Sequence, residues 1–432
     1  MNFRLKNKNN IRESPMSKPR LIIVAMLFLT SVFSCNDRSA KERPDLSLSF
    51  KIIVKNPTKQ VRKDAMVRIN LADIKAKYPD FNPDAWVIFA GETEIPSQLN
   101  AEKTEILFVT DFAPSEKKTF TIHYAKEGTI THNYPKRTQA ELSHKVGGRF
   151  VNRVYEGGEF QNVKYLRVPP EHTDHSLFIR YEGPGWESDK VGYRFYLDWR
   201  NAIDVFGKKV PDMVLQEIGQ DGFESYHSMC PWGMDVLKVG ESLGLGTLEM
   251  WYEGKAERIA VTDSIICEII QDGVLESRIR TRYYGWQIGG QKYDLVSELS
   301  IAAGSRLTRH DIQITGEPPN LCTGIVKMEN VSLLSSTDQN RDWMYFATYG
   351  KQSLANDKLG LAVLFRRQDL IQITDDENSY VVILKPTAGK LTYYFLAAWE
   401  QEPDGIKTES QFADYLNETV AMLDNDLIIT IK

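Results

Sequence analysis

The feature that most constrains the fold is a succession of strand patterns through residues 140–400, with almost no helical spacing. Short runs rich in β-branched and aromatic residues, often alternating with polar ones, are typical of strands. The exception is Glu409–Leu423, where Phe412, Leu416 and Val420 keep the spacing of a helix face. We therefore predict a mainly all-β chain whose large domain is an antiparallel β super-sandwich with a C-terminal helix. The strand patterns are Val191–Arg200, Thr247–Tyr252, Ile259–Ile270, Glu276–Tyr284, Tyr293–Ile301, Leu307–Ile314, Leu361–Phe365, Tyr380–Leu384 and Leu391–Ala398.

A smaller group of strand patterns precedes this domain. Residues 47–126 contain alternating runs at Ser47–Val54 and Val67–Leu71, separated from other runs by turn residues. Residues 127–139 are polar and include a proline, as expected of a domain boundary. The sequence therefore predicts a small N-terminal β-sandwich at 47–126, a linker at 127–139 and the large domain at 140–432.

The N-terminus is similar to an export signal. A basic stretch precedes Leu21–Ser34, which carries no charge and is too short to span a bilayer. This run ends in Val32-Phe33-Ser34-Cys35, which resembles a lipobox, so residues 1–35 are predicted to be a signal peptide with lipidation at Cys35. Residues 36–46 form a polar tether. We expect a protein of the periplasm or cell surface, lipid-anchored to the membrane; an ordinary cleaved signal peptide is the alternative.

Composition excludes some functional classes. The chain has 53 basic and 58 acidic residues and a net charge of −5, so no global field favours nucleic acid, and we expect no such partner. Apart from Cys35, the cysteines are Cys230, Cys267 and Cys322, which lack C-x-x-C spacing and are expected to be small buried residues. No P-loop or GxGxxG motif is present. The sequence predicts no cofactor, with a divalent metal left open.

The pattern Val191–Arg200 has a period of two. Arg194, Tyr196, Asp198 and Arg200 fall on one face, and apolar residues fall on the other. Because such a row can bind a carboxylate and move protons, we interpret the two arginines and the aspartate as substrate-binding and the tyrosine as catalytic. A solvated ladder of salt bridges is the alternative.

A second row contains Arg278, Arg280 and Arg282. Guanidinium groups about 7 Å apart on one face repel unless acids or an anion separate them. Glu268 and Glu298, on predicted neighbouring strands, can neutralise them, so pairing within the sheet is the default interpretation. An anionic ligand at Arg280 is the alternative.

Three histidines lie in loops that also contain acids. His172 and His175 flank Asp174, and His227 follows Glu224 in a second loop. Imidazole titrates near neutrality, so His172 and His227 are candidate catalytic bases and His175 a candidate ligand-binding group. Surface or structural roles are the alternative. A zinc site would need a third ligand supplied by the fold, and no metal ligands are assigned.

Several tryptophans lie beside glycine, proline or tyrosine in apparent loops. Indole rings can stack on the apolar C–H face of a pyranose while neighbouring charges bind its hydroxyl groups. Core packing is the alternative for at least two of the tryptophans. The tryptophans are Trp186, Trp232, Trp251 and Trp286, and the substrate-binding set also includes Glu187 and Lys238.

Two groups of motifs resemble known families. Val54-Lys-Asn-Pro57, Ile95-Pro-Ser-Gln98 and Asp111-Phe-Ala-Pro114 are similar to the N-terminal module of exo-acting rhamnogalacturonan lyases. Tyr181-Glu-Gly-Pro-Gly-Trp-Glu187 and Tyr226-His-Ser-Met-Cys-Pro-Trp-Gly-Met-Asp-Val-Leu-Lys-Val-Gly240 resemble a Bacteroidota lipoprotein family of unknown function, associated with pectin and uronate utilisation. The second resemblance implies a galactose-mutarotase-like super-sandwich, a fold that hosts lyases, epimerases and non-catalytic modules.

These observations favour a lyase that acts on a uronic-acid-containing oligosaccharide, such as a pectin or rhamnogalacturonan fragment. β-Elimination removes a proton next to a carboxylate, whose charge Arg194 and Arg200 are expected to neutralise. His227 or His172 is the candidate base, and Tyr196 or Tyr283 the candidate proton donor. A glycan-binding lipoprotein without turnover, or a hydrolase or epimerase of the same fold, is the alternative.

Overall fold

The computed structural model describes residues 44–338 and 340–432. The predicted signal peptide, Cys35 and most of the tether lie outside the described residues. The described part is mainly antiparallel β-sheet with a C-terminal helix, which confirms the predicted fold class. Within it, no helix is long and apolar enough to cross a membrane.

The strands and helices of the described part follow in chain order. The helices are α1 (Leu71–Lys77) and α2 (Glu409–Leu423), and short 3₁₀ turns cover Arg180–Glu182, Leu215–Glu217, Ser225–His227 and Arg367–Asp369. The strands are β1 (Leu48–Lys55), β2 (Arg62–Asn70), β3 (Trp86–Ala90), β4 (Thr93–Ile95), β5 (Ser97–Leu99), β6 (Glu105–Phe112), β7 (Lys117–Tyr124), β8 (Thr138–Glu141), β9 (Ser143–Val151), β10 (Val154–Asn162), β11 (Tyr165–Arg167), β12 (Gly185–Ser188), β13 (Val191–Phe195), β14 (Ile203–Lys208), β15 (Gly233–Asp235), β16 (Met250–Tyr252), β17 (Lys255–Glu257), β18 (Ser264–Asp272), β19 (Glu276–Ile288), β20 (Gln291–Ala302), β21 (Thr308–Ile314), β22 (Leu321–Val326), β23 (Val331–Ser335), β24 (Trp343–Lys351), β25 (Lys358–Arg366), β26 (Leu370–Asp375), β27 (Ser379–Leu384), β28 (Lys390–Trp399) and β29 (Ile428–Ile431).

The N-terminal sandwich consists of a five-stranded sheet, in the order β29-β1-β7-β3-β4, and a three-stranded sheet, β2-β6-β5. Its core forms because alternate residues of each strand point inward, as with Phe50, Ile52 and Val54 of β1. Strand β29, which closes one edge by pairing with β1, comes from the end of the chain. Residues 428–431, which fall in the predicted range of the large domain, therefore belong to the sheet of the first sandwich.

The large body packs a nine-stranded sheet, in the order β11-β18-β19-β20-β21-β28-β25-β24-β23, against two smaller sheets. These are a five-stranded sheet, β15-β14-β13-β12-β8, and a three-stranded sheet, β22-β27-β26. One hydrophobic core contains residues of all three sheets, including Tyr193, Leu295 and Val382. Helix α2 covers part of the nine-stranded sheet with Phe412 and Leu416.

Helix α2 has the bounds that its apolar spacing predicted. Thr408 caps its N-terminus by accepting from the Gln411 backbone amide, and the Gln411 side chain accepts from the Thr408 amide. This reciprocal arrangement satisfies two amide groups that would otherwise lack partners.

The predicted outward-facing row on β13 is wrong. Strand β13 ends at Phe195, and both of its faces are buried. Arg194, Tyr196 and Asp198 are buried, and Arg200 is half-buried. The outer face of the five-stranded sheet is covered because Leu215 and Trp232, from the long connection between β14 and β15, pack on Phe206 in a separate apolar cluster.

The arginine row on β19 is paired as its default interpretation predicted. Arg280 donates to Glu298, and Arg282 lies 3.3 Å from Glu268. Arg278 binds Glu102 of the N-terminal sandwich at 2.5 Å. The three carboxylates neutralise the three guanidinium groups, so the row needs no anionic ligand to balance its charge.

Candidate functional site

A cavity of about 560 Å³ lies where the segment after β11 meets the turn after β13 and the segment before β18. The first segment is stiffened by Pro169 and Pro170 and held by the Val168 amide, which donates to the Ile265 carbonyl. The polar and aromatic side chains of the cavity are those expected of a site for a polar ligand. They include Arg153, Arg167, Glu171, His172, Asp198 and Trp199.

Trp199 separates this first cavity from a second one of about 400 Å³, since the two cavities share Trp199 and Ala260 in their walls. The indole is 42% exposed although it belongs to a large apolar side chain. Its Nε1 donates to Asp174 at 2.9 Å, and the Arg258 guanidinium lies 5.2 Å from the ring centroid. The ring is therefore held in place while part of its surface stays open to a ligand.

The period-two pattern predicts Trp199 on the apolar face of a strand. For that reason Trp199 is absent from the site residues predicted from the sequence. Because the strand ends at Phe195, Trp199 lies in a turn closed by the Asn201 amide, which donates to the Asp198 carbonyl at 3.0 Å. A tryptophan between the charged residues Asp198 and Arg200 was the available signal for this position.

His172, a candidate base from the sequence, is a wall residue of the first cavity. Its Nδ1 lies 2.8 Å from the Ser176 hydroxyl, and its Nε2 is buried without a hydrogen-bond partner among the described residues. Burial lowers the pKa of His172 to about 4, against the opposing effect of Asp198 and Glu182. The imidazole is therefore neutral at pH 7.

Arg200 is held behind the cavity by two carboxylates. It makes a bidentate contact with Asp198, with distances of 2.9 and 2.5 Å, and its Nη2 lies 2.7 Å from Glu182. The guanidinium also lies 3.9 Å from the centroid of the Tyr196 ring. These contacts fix the turn that carries Trp199. They also neutralise the Arg200 guanidinium, which was expected to bind a substrate carboxylate.

Arg194 lies deeper, and only 2% of it is exposed. It contacts Asp204 at 2.7 Å and Asp235 at 2.6 Å, and it donates to the Tyr226 and Tyr196 hydroxyls. Burial and the neighbouring Asp235 raise the pKa of Asp204 to about 7. Two protein carboxylates therefore already occupy this guanidinium, which was expected to contact a substrate carboxylate.

His227 lies at the edge of this buried network. Its half-exposed ring places Nε2 3.5 Å from Asp235, which raises the pKa of His227. His175 is exposed in the facing loop and packs edge-on against Phe223 at 5.0 Å. Neither histidine lines the first cavity, so the structure does not bring them together with His172 around one ligand space.

Other residues selected from sequence lie away from the cavity. Trp186 donates to Thr308, Trp286 to the Arg258 carbonyl and Tyr283 to Asn201, and all three side chains are buried. The other residues selected from the sequence are either packed inside the protein or exposed outside the cavity. Glu187 forms a buried pair with Lys208 at 2.6 Å, Trp232 is buried in the apolar cluster over Phe206, Trp251 is half-buried, Arg280 is paired with Glu298, and Lys238 is exposed.

Some of the strained backbone lies near the cavity and the buried network. His175, Leu177, Tyr181, Glu182 and Asn201 have φ between 39° and 71°, a region that non-glycine residues rarely adopt. Such conformations persist only where the surroundings hold them, and they are frequent at functional sites. Their position supports the choice of this region as the candidate site.

The N-terminal sandwich also has a cavity, of about 600 Å³, at the point where the described chain begins. Its ionisable wall residues are Asp45, Glu92, Glu94 and His123, without lysine or arginine. An anionic ligand fits the first cavity better, because Arg153 and Arg167 provide positive charge there. Among the described residues, no group of three or more His, Cys, Asp or Glu side chains is arranged to hold a metal ion.

The fold and site define a β-sandwich protein with adjoining polar cavities on either side of an exposed tryptophan. The chain belongs to the family described as Domain of unknown function (DUF4861), which matches residues 54–429. No curated protein matches the sequence.

Solved structures with weak similarity include carbohydrate enzymes. A glycosyl hydrolase family 38 protein from Enterococcus faecalis has 7% identity and a TM-score of 0.41, over 90% of this chain and 48% of that one. An alpha-mannosidase from Enterococcus faecalis V583 has 9% identity and a TM-score of 0.37, over 90% and 46%. A Klebsiella pneumoniae subsp. pneumoniae MGH 78578 protein, provisionally described as an aldose 1-epimerase, has 10% identity and a TM-score of 0.27, over 56% and 84%. This chain spans just under half the length of the first two.

Proposed function

We propose that the protein binds a uronic-acid-containing oligosaccharide, such as a pectin fragment, across Trp199 and cleaves it as a lyase. The observation that carries the proposal is the partly exposed indole between two charged cavities. The C–H face of a pyranose is apolar and stacks on such a ring, while charged neighbours bind the hydroxyl groups.

The first cavity suits the carboxylate of a uronic acid. Arg153 and Arg167 are exposed in its wall, where a guanidinium can bind a carboxylate through two hydrogen bonds. Two acids of the same wall already have cationic partners, because Asp198 pairs with Arg200 and Asp263 lies 2.6 Å from Lys292. Arg153 lies 3.6 Å from Asp174 and donates to Thr173, whereas Arg167 makes no ion pair among the described residues, so the charge of Arg167 is available to a ligand.

β-Elimination needs a base beside the bound carboxylate, and His172 is the candidate. Its ring lines the cavity, and a bound carboxylate would raise its pKa from about 4 toward neutrality by favouring the imidazolium. His172 takes the proton next to the carboxylate, a carbon–carbon double bond forms, and the carbon–oxygen bond to the leaving sugar breaks. The leaving oxygen takes a proton from solvent, since Tyr196 and Tyr283 are buried away from the cavity.

The test measures binding and turnover in matched variants. Arg167→Ala should weaken binding of digalacturonate by about 2–4 kcal/mol, because the carboxylate loses a charge-assisted partner, and should affect a neutral disaccharide little. Arg149→Ala, which removes an exposed arginine outside the cavity, is the control. His172→Gln should keep binding and lose the ultraviolet absorbance that accompanies the unsaturated product. Equal affinity of the Arg167 and Arg149 variants for digalacturonate would exclude the assigned carboxylate site.

A binding protein without turnover is the second candidate. The observation that favours it is the burial of Tyr196 and Tyr283, the two expected proton donors. If wild-type protein binds uronate oligosaccharides by calorimetry but generates neither unsaturated product nor new reducing ends, the protein is a binder.

Export and lipid anchoring belong to the same proposal, because a protein that acts on glycan fragments would encounter them outside the cytoplasm. Val32-Phe33-Ser34-Cys35 supports lipidation at Cys35. Cys35→Ala should move the protein from the membrane fraction to the soluble fraction. A variant that still fractionates with membranes would place the anchor elsewhere.

A further inference from the structure

The second cavity contains a buried carboxyl group whose chemistry the proposed function does not use. Glu249 is 2% exposed and lies in the wall of this cavity, and its Oε1 has no hydrogen-bond partner in the part of the chain that the structure describes. The backbone fixes its position, because the Glu249 amide donates to the Cys322 carbonyl at 2.9 Å and the Cys322 amide donates back at 2.7 Å. The carboxyl group of this wall residue therefore has hydrogen-bonding capacity that the protein does not use.

The surroundings of Glu249 favour its uncharged form. Burial is the largest effect and raises its pKa to about 8, with Asp376 and Glu257 acting in the same direction. Arg258 opposes them, but its Nε lies 3.9 Å from Oε1, which is too long for a hydrogen bond. Cys322 and Tyr393, on the neighbouring strands, have pKa values well above their ordinary ones and stay neutral. At neutral pH Glu249 is therefore a carboxylic acid that can donate a hydrogen bond.

The charge of the second cavity disfavours an anion. Four further carboxylates lie in its wall, against Lys255 and Arg258 as the cations, and Lys255 is engaged with Glu257 at 2.8 Å. A second uronate would be repelled there, whereas an uncharged sugar would meet hydrogen-bonding groups beside the Trp199 ring. The carboxylates are Glu241, Glu257, Asp376 and Glu377.

We propose that the second cavity is a subsite for an uncharged sugar unit, in which Glu249 donates a hydrogen bond to a sugar oxygen. The proposal rests on the proposed function, which places a uronate in the first cavity. Together the two cavities select an oligosaccharide in which a uronic acid is joined to a neutral sugar.

The experiment compares galacturonosyl-rhamnose, digalacturonate and free galacturonate by calorimetry at pH 6 and pH 9. Wild-type protein should bind the mixed disaccharide at least tenfold more tightly than digalacturonate at pH 6, and it should lose this advantage at pH 9, where Glu249 ionises. Glu249→Gln keeps a neutral donor of the same shape, so it should bind the mixed disaccharide equally at both pH values. Glu249→Ala should bind it weakly at both.

Free galacturonate separates this inference from the proposed function. Its affinity should be the same in the wild-type, Gln and Ala proteins, because it occupies only the first cavity, and it also reports that each variant is folded. Normal galacturonate binding together with an unchanged affinity of Glu249→Ala for the mixed disaccharide would overturn the subsite. A wild-type preference for digalacturonate would overturn it as well. If wild-type protein binds none of the three sugars, the proposed function fails together with the subsite that depends on it.

Discussion

Replacing Trp199 with alanine tests the candidate site directly, because this side chain lines both cavities. A tryptophan presents about 150–250 Å² of surface. Since 42% of Trp199 is exposed, a stacked sugar would cover about 60–100 Å² of the ring. At about 25 cal/mol per Å², this area corresponds to roughly 1.5–2.5 kcal/mol of binding free energy. Trp199→Ala should therefore weaken binding of galacturonosyl-rhamnose by roughly 10- to 70-fold.

The assay is calorimetric titration of the wild-type protein, Trp199→Ala, Trp199→Phe and a matched control. Phenylalanine keeps an aromatic face, so Trp199→Phe should lose less affinity than the alanine variant. Tyr284→Ala is the control, because Tyr284 is a similarly exposed aromatic residue outside both cavities. Affinity of Trp199→Ala within twofold of that of Tyr284→Ala, with both proteins folded, would refute the stacking argument.

Three further predictions concern stability and domain organisation. Replacing Arg194 with methionine should lower the free energy of unfolding in urea by about 3–5 kcal/mol, because two buried carboxylates lose their cation; a loss below about 1 kcal/mol would contradict the role of the network. Glu249 has a folded pKa of about 8 against an ordinary 4.5, so the stability that it contributes is fully present below pH 4.5 and is lost as the pH rises through 8. The melting temperature of wild-type protein should therefore fall between pH 5 and pH 9 more than that of Glu249→Gln, and parallel curves would argue against the shift. Limited proteolysis should cut first within 127–139, as mass spectrometry of the fragments can show, and earlier cleavage elsewhere would contradict that boundary.

The sequence was sufficient for those parts of the fold that periodicity determines. The apolar spacing of Glu409–Leu423 predicted α2, and the alternation in Ser47–Val54 predicted β1 within one residue at each end. Strand β29 was missed because four residues at the chain end carry too little pattern, and only the partner strand identifies them. Strand β13 was predicted too long because alternation continues past Phe195, although the backbone turns there.

The candidate site was only partly predictable, because residue types are visible in the sequence but their burial is not. His172 was selected because an imidazole beside acids in a loop is visible in the sequence, whereas Asp198 was selected as part of a strand row that the structure does not form. Whether a charged row faces solvent, however, depends on what covers the sheet, and the cover over Arg194 comes from a distant connection in the chain. Glu249 was missed although it left a signal, since a carboxylate between Leu248 and Met250 in an apolar run is unusual unless it is paired or neutral.

Glu182 connects the buried network around Arg194 to the first cavity, although the network does not line that cavity. It accepts from the His175 amide at 2.9 Å, pairs with Arg200 at 2.7 Å and lies 3.7 Å from Arg194. It therefore joins one histidine loop, the Trp199 turn and the core of the buried network, and its own backbone has the left-handed φ of 71°. Loss of Arg194 should thus weaken folding and sugar binding together, because the turn that holds the ring would lose its support. Loss of the Trp199 ring should weaken binding alone, and this difference distinguishes the support of the site from the surface that contacts the sugar.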